Sequence, residues 1–203
     1  MEGFKNMNEK TELVIIIDRS GSMHGLEEDV IGGFNSLIEK QTKEGETVVT
    51  TVFFNDEFSL IHEGMDIKEI KPLDKRTYVP SGCTALLDAI GNAIGLIKAK
   101  HAKLTEDQLP QHTIFSIMTD GLENASKEYS YNKIKSMIEL QKKSGWDFIF
   151  QAANIDTEHE ANRLGIDADM AVSFDANSKG VKKNMKLMCC MISEKRKVNK
   201  RKK

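Results

Sequence analysis

Leu13-Val14-Ile15-Ile16-Ile17 is an unbroken aliphatic run that stops at Asp18. A run with no polar alternation has no face for water, which is the pattern of a strand buried on both sides of a parallel sheet. From Leu26 to about Gln41 the apolar residues Leu26, Val30, Phe34, Leu37 and Ile38 recur at helical spacing. Gly32 and Gly33 interrupt that helix and are expected to let it lie close to the sheet. Thr47 to Phe54 is β-branched and aromatic, and Asn55-Asp56-Glu57 leads into a second short run, Phe58 to Ile61. The pair predicts an antiparallel hairpin.

After a loop containing Pro72 and Pro80, the residues Leu86, Ile90, Ala93, Ile94 and Ile97 mark a second amphipathic helix. Thr113 to Met118 is another strand-like run followed closely by an aspartate, Asp120. Ile134, Met137, Ile138 and Leu140 outline a third helix, Phe148-Ile149-Phe150 a strand, and Ala171 to Phe174 a last strand. Val181, Met185, Met188 and Ile192 fall at i, i+4, i+7 and i+11, a closing helix whose stripe belongs in the core. Strands alternate with helices almost throughout. That order predicts the α/β class: a doubly wound, mostly parallel sheet with one antiparallel edge strand and helices on both faces. Ligands of such sheets sit beyond the carboxyl ends of the strands.

The chain has 203 residues, 39% of them hydrophobic and 30% charged, which suits one soluble domain. We place it at residues 11–193, after an N-terminal extension of residues 1–10 and before a basic C-terminal tail of residues 194–203. The longest aliphatic run is far shorter than the roughly 20 apolar residues of a membrane helix, so no membrane span is expected. Glu2, Lys5, Glu9 and Lys10, with no apolar stretch among them, argue against a secretory signal and for a cytoplasmic protein. Cys83, Cys189 and Cys190 are an odd number with two adjacent, which fits neither a disulfide framework nor a metal knuckle; they read as reduced thiols. The net charge of −2 conceals an asymmetry. Seven basic residues face one glutamate within 194–203, leaving 22 basic and 30 acidic residues, a charge of −8, on the remainder. A basic tail can contact nucleic acid, but no aromatic residue interleaves these Lys and Arg to stack on bases. The tail therefore reads as a solvated helix end.

Asp18-Arg19-Ser20-Gly21-Ser22-Met23 follows the first strand directly. Its alternate positions carry oxygen, and in a tight turn at Gly21 the side chains of Asp18, Ser20 and Ser22 can converge as hard-cation ligands. A polar turn with local Ser and Asp hydrogen bonds accounts for the same residues. Other motifs fall away. An EF-hand beginning at Asp18 needs Gly and Glu where Met23 and Asp29 stand. No phosphate loop, dinucleotide fingerprint or nucleophile elbow is present. An aspartyl phosphotransferase would want a second carboxylate where Ser20 stands. Two further stretches reach the same sheet edge: Pro80-Ser81-Gly82-Cys83-Thr84-Ala85-Leu86-Leu87-Asp88, where Thr84 serves equally as a helix N-cap, and Ser116-Ile117-Met118-Thr119-Asp120-Gly121.

Taken together, Asp18-x-Ser20-x-Ser22, Thr84 within Gly-x-Thr-x-Leu-x-Asp-Ala, and Asp120 within Thr-Asp-Gly resemble the metal-ion-dependent adhesion site of the von Willebrand factor A family. Order and intervals match, and the alternation of elements fits that fold, a Rossmann-like one, from about Thr11 to Ile192. The resemblance is to the stand-alone cytosolic bacterial members, which also share a segment like Ala152-Ala153-Asn154-Ile155-Asp156. It implies direct coordination of an ion by Ser20 and Ser22, direct coordination by Thr84 in one state, and contacts mostly through water from Asp18 and Asp120. The implied ion is Mg2+, with Mn2+ as a substitute, and the implied partner is another protein presenting an Asp or Glu at the open position.

Around this site, Glu123 and Asn124 are expected at the rim, where they would tune partner choice or do nothing. Asp88 would brace the Thr84 loop or serve the helix dipole. Arg19 and His24 flank the turn. His62, His101, His112 and His159 are scattered without partners at metal spacing and read as surface or loop residues. The expectation is a non-enzymatic, cation-dependent protein-binding module. The rival is a metal-dependent hydrolase or phosphatase on a similar sheet, disfavoured because no motif places a general base beside the ion; nucleic-acid binding through the tail is a third reading.

Overall fold

A computed structural model describes residues 10–198. The chain runs β1 (Thr11–Asp18), α1 (Glu27–Gln41), β2 (Thr47–Phe54), β3 (Phe58–Asp66), α2 (Leu86–His101), β4 (His112–Thr119), α3 (Tyr131–Lys143), β5 (Trp146–Ala152), α4 (Thr157–Leu164), β6 (Ala171–Ser173) and α5 (Ser178–Val198). The six strands lie in the order β3-β2-β1-β4-β5-β6. All neighbours are parallel except β2 and β3, whose antiparallel pairing makes β3 the edge strand foreseen from the hairpin. Helices α1 and α5 pack together on one face, and α2, α3 and α4 on the other.

Burial explains the continuous aliphatic runs. Every residue of β1 and of β4 is buried, because each strand has neighbours on both sides and helices above and below. The chain leaves β1 toward β2 on one side and returns through α2 to β4 on the other. Asp18 ends β1 and Asp120 directly follows β4, so the two carboxylates lie side by side at the point where strand order reverses, the usual ligand crevice of an open α/β sheet.

Several details differ from the sequence expectation. Helix α4 was not foreseen. Its side chains are mostly polar and only Ala161 and Leu164 supply buried apolar groups, too few to show a period. Leu140 is 54% exposed and points away from the core, which α3 reaches through Ile134 and Ile138. Gly33 does not bring α1 nearer the sheet; a Cβ there would collide with Met185, so this glycine admits α5 instead. Of the four scattered histidines, three are neither in loops nor exposed. His112 is buried on β4, His62 stacks on Phe34 with ring centroids 6.2 Å apart, and His101 places Nε2 3.2 Å from Glu12, a buried carboxylate on β1 that also accepts from Lys100 Nζ at 2.8 Å. Of the scattered four, His159 alone is exposed, on α4.

The closing stripe lies in the core as expected, with Val181, Met185, Met188 and Ile192 all buried. The helix does not stop at residue 193, however. Arg196 is buried and donates from Nη2 to Thr47 Oγ1 at 2.8 Å, and Lys195 pairs with Asp147 at 3.0 Å. The first part of the basic segment is thus docked on the sheet rather than solvated. Its last four basic residues, Lys200, Arg201, Lys202 and Lys203, lie outside the described residues. The three cysteines are free thiols. No helix among the described residues is long and apolar enough to cross a membrane.

Candidate metal centre

Three loops meet above the carboxyl ends of β1 and β4. The first is the turn after β1, where Ser20 opens a single 3-10 turn of Gly21–Met23. Asp18 organises it: Oδ1 accepts from the Ser20 backbone N–H at 2.6 Å, and Oδ2 accepts from Thr119 Oγ1 at 2.6 Å. Thr119, at the end of β4, therefore aims the Asp18 carboxylate. Tyr78 adds a further hold, its buried hydroxyl donating to the Asp18 carbonyl at 2.6 Å while its ring meets Phe53 edge-on.

The second loop brings Thr84. It lies against the first turn through Ser81 N to Arg19 O at 2.8 Å and Gly21 N to Gly82 O at 3.0 Å. Gly82 has a φ of +74°, and a Cβ there would overlap the Asp56 carboxylate, so this position requires glycine. Thr84 does not cap α2. The N-cap position is Ala85, which offers no side-chain acceptor. The hydroxyl is left free for the site.

The third loop follows Asp120. Asn154, at a φ of +59°, donates from Nδ2 to the Asp120 carbonyl at 3.3 Å and anchors that residue to the turn after β5. The Asp120 carboxylate accepts from Ser22 Oγ at 2.5 Å, and Ser22 Oγ is 3.0 Å from Ser20 Oγ. Gly121 lies between the last two donors: a Cβ built on it would be 3.7 Å from both Ser22 Oγ and Thr84 Oγ1. Ser20, Ser22 and Asp120 are thus in contact, Thr84 Oγ1 and Ser22 Oγ lie on either side of Gly121, and Asp18 is tied to the same turn through Ser20 N.

The electrostatics of this site favour a cation. Burial pushes the Asp18 carboxyl above its usual range, and the neighbouring Asp120 charge adds to that even though Thr119 and Ser20 oppose it. Asp120 is likewise raised by burial, against its bond from Ser22. Among the described residues no Lys, Arg or His forms an ion pair with either carboxylate. Two adjacent, partly desolvated carboxylates without a counter-charge are costly, and a divalent cation ringed by their oxygens and three hydroxyls relieves that cost. Oxygen-only donors suit a hard ion. Among the described residues no three His, Cys, Asp or Glu side chains gather into a metal-holding group.

Arg19, His24, Glu123 and Asp88 are each engaged by partners of their own. Arg19 turns toward β3, donating from Nη2 to Ser59 Oγ at 3.0 Å, and His24 is exposed beside Glu27 at 3.2 Å. Glu123 faces inward. Its Oε2 accepts from Leu87 N at 2.9 Å and Ser126 Oγ at 2.7 Å, and its Oε1 from Ala125 N and Ser126 N. Asp88 braces the third loop rather than Thr84 itself, accepting from the backbone N–H groups of Lys127, Glu128 and Tyr129. Val79 and Leu122, 53% and 56% exposed, add apolar surface to the second and third loops beside the exposed Ser22, Ser81 and Asn124. The roles of Thr119, Tyr78 and Asn154 had no signal in the sequence beyond adjacency, since each depends on a contact between distant segments.

No protein-family model matches this chain, and no curated protein matches it in sequence. Solved structures do. The vWF domain of the type V pili tip protein Mfa5 from Porphyromonas gingivalis superposes with a TM-score of 0.63 at 12% identity, covering 90% of this chain and 95% of that one. Proximal thread matrix protein 1 from the mussel byssus, with a zinc-occupied MIDAS motif, gives 0.63 at 14% identity over 92% of this chain and 47% of its own. Manganese-loaded TRAP protein of Plasmodium vivax gives 0.56 at 17% identity, covering 87% and 72%. This chain spans about half the length of the mussel protein. Sheet order, helix placement and these superpositions agree: the chain has the von Willebrand factor A-type fold.

Proposed function

We propose that this protein binds a divalent cation, Mg2+ with Mn2+ as a substitute, through Asp18, Ser20, Ser22, Thr84 and Asp120, and uses it to hold an Asp or Glu carboxylate of another protein. The observation that carries the reading is that Ser20, Ser22 and Asp120 are in contact, with Thr84 Oγ1 facing Ser22 across Gly121 and Asp18 holding the Ser20 backbone, from three separate loops. The metal-loaded sites of the mussel and Plasmodium proteins support it by similarity of fold. With the hydroxyls of Ser20, Ser22 and Thr84 as the direct ligands and Asp18 and Asp120 acting through water, no negatively charged oxygen would bind the ion directly, and it would stay electrophilic toward an external carboxylate. Val79 and Leu122 offer a partner apolar surface beside that carboxylate. A binding role fits better than a hydrolytic one. His24 is exposed and paired with Glu27, Arg19 is engaged with Ser59, and neither is presented to the site as a general base.

Affinity capture from cell extract tests this reading. A specific partner should be retained in Mg2+ and released by EDTA, with loss of affinity on the order of a hundredfold or more. Thr84→Ala should impair partner capture more than metal uptake, because the resemblance implies that Thr84 joins the ion mainly when a carboxylate is bound. A partner whose binding survives both EDTA and Thr84→Ala would show that recognition lies elsewhere on the surface.

A further inference from the structure

Thr84 carries a candidate ligand but its hydroxyl makes no hydrogen bond that would fix it, so its position depends on its backbone. That backbone is held from two sides: on one, Ala85 N donates to the Asn55 carbonyl at 2.8 Å and Cys83 N to Asp56 Oδ1 at 3.3 Å; on the other stands the loop after β4. Thr84 N donates to Asn124 Oδ1 at 2.9 Å, while the Thr84 carbonyl accepts from Asn124 N at 3.0 Å and Ala125 N at 3.2 Å. Glu123 continues the contact, accepting from Leu87 N in the first turn of α2 and from Ala125 N, Ser126 N and Ser126 Oγ in its own loop. Asp88 N donates to Ser126 Oγ at 3.0 Å, and the Asp88 carboxylate accepts from the next three backbone N–H groups of that loop. Residues 84–88 and 123–129 are therefore laced into one unit.

We infer that Asn124, with Glu123 behind it, is a positioning residue for the candidate metal centre: it sets the Thr84 hydroxyl against Gly121, so that Thr84 and the Asp120 loop act as a single body. The inference rests on the proposed metal reading. Three features support it. Thr84 is buried, and Asn124 Oδ1 is the acceptor its N–H uses. The bonds are reciprocal, fixing both the distance and the rotation of the Thr84 peptide. The hydrogen bonds that Asn124 makes to a candidate metal donor all go to Thr84, so Thr84 is the most direct route by which its side chain would affect the ion.

A double-mutant cycle on the full chain isolates that route. Mn2+ affinity would be measured by calorimetry in excess acetate, the simplest carboxylate, for wild type, Asn124→Ala, Thr84→Ala and the double variant, with melting temperatures alongside. Removing a group that orients a metal ligand typically lowers affinity about 10- to 100-fold. Asn124→Ala is expected to weaken Mn2+ binding by about tenfold in the wild-type background and less than about twofold when Thr84 is already Ala. A purely structural role would lower the melting temperature by a similar amount in both backgrounds and leave the two affinity ratios equal. A second readout needs no metal. Amide hydrogen exchange at Thr84 should accelerate at least about tenfold in Asn124→Ala while the β1 amides stay protected. Equal affinity effects in both backgrounds, or an unchanged Thr84 exchange rate, would overturn the inference. If wild type takes up no Mn2+, the metal reading fails, and the Thr84 exchange rate alone decides whether Asn124 positions this residue.

Discussion

Asp120→Ala is expected to weaken Mg2+ and Mn2+ binding by about a hundredfold or more while leaving the protein folded. Asp120 supplies one of two negative charges facing the candidate site, and its Oδ1 is the acceptor that orients Ser22 Oγ. Losing it removes both a charge and the alignment of a candidate ligand. The fold should persist for a reason visible in the apo electrostatics. Burial raises both Asp18 and Asp120 above the usual carboxylate range, so in the absence of a cation each ionised group opposes folding near neutral pH rather than supporting it. Asp18→Ala should have the same effect on the metal, with more disturbance of the turn because Thr119 Oγ1 and Ser20 N lose their acceptor. Calorimetry with parallel thermal melts separates the two quantities. Unchanged metal affinity in both variants would remove these residues from the site.

Truncating the chain before Val181 should abolish the folded state. Val181, Met185, Met188 and Ile192 are each buried, and α5 covers α1 together with one face of β4 and β5. At about 1.5–3 kcal/mol for each buried side chain, their loss amounts to roughly 6–12 kcal/mol. That is comparable with the whole stability of a domain this size, about 5–15 kcal/mol. Stopping after residue 193 is a milder change with its own signature. It removes Arg196 from Thr47 and Lys195 from Asp147 and should cost about 1–3 kcal/mol in denaturant unfolding. A 1–193 fragment as stable as the full chain would mean that the end of α5 adds nothing to the fold.

The sheet was legible because its central strands are buried on both faces, and burial of that kind leaves continuous aliphatic runs that end abruptly at Asp18 and near Asp120. The candidate ligands were legible for a related reason. They sit one or a few residues beyond those runs, so strand prediction and oxygen spacing located them together. What was not legible depends on contacts across long sequence separations. Glu123 and Asn124 look like surface loop residues in sequence; Asn124 is indeed exposed, and only the approach of α2 to the loop after β4 gives Glu123 its bond from Leu87 N and Asn124 its bond from Thr84 N. Arg196 sits in a basic run that reads as solvent-exposed until Thr47 is seen beneath it. Helix α4 carried terminal signals that periodicity overlooks: Asp156 caps it by accepting from His159 N, and Gly165 ends it at a φ of +81°. Gly33 was read as a weak point of α1, whereas its missing side chain is what Met185 occupies.

The most direct test of the central claim is the position of a bound ion. In crystals grown with Mn2+, anomalous scattering at the manganese edge should reveal one strong peak in contact with Ser20 Oγ and Ser22 Oγ, bordered by Thr84, Asp18, Asp120 and Gly121, with a carboxylate from acetate or a neighbouring molecule completing its coordination. An empty site at saturating Mn2+, or a peak held by Asp88 and Glu123 or by other carboxylates away from these five residues, would contradict it.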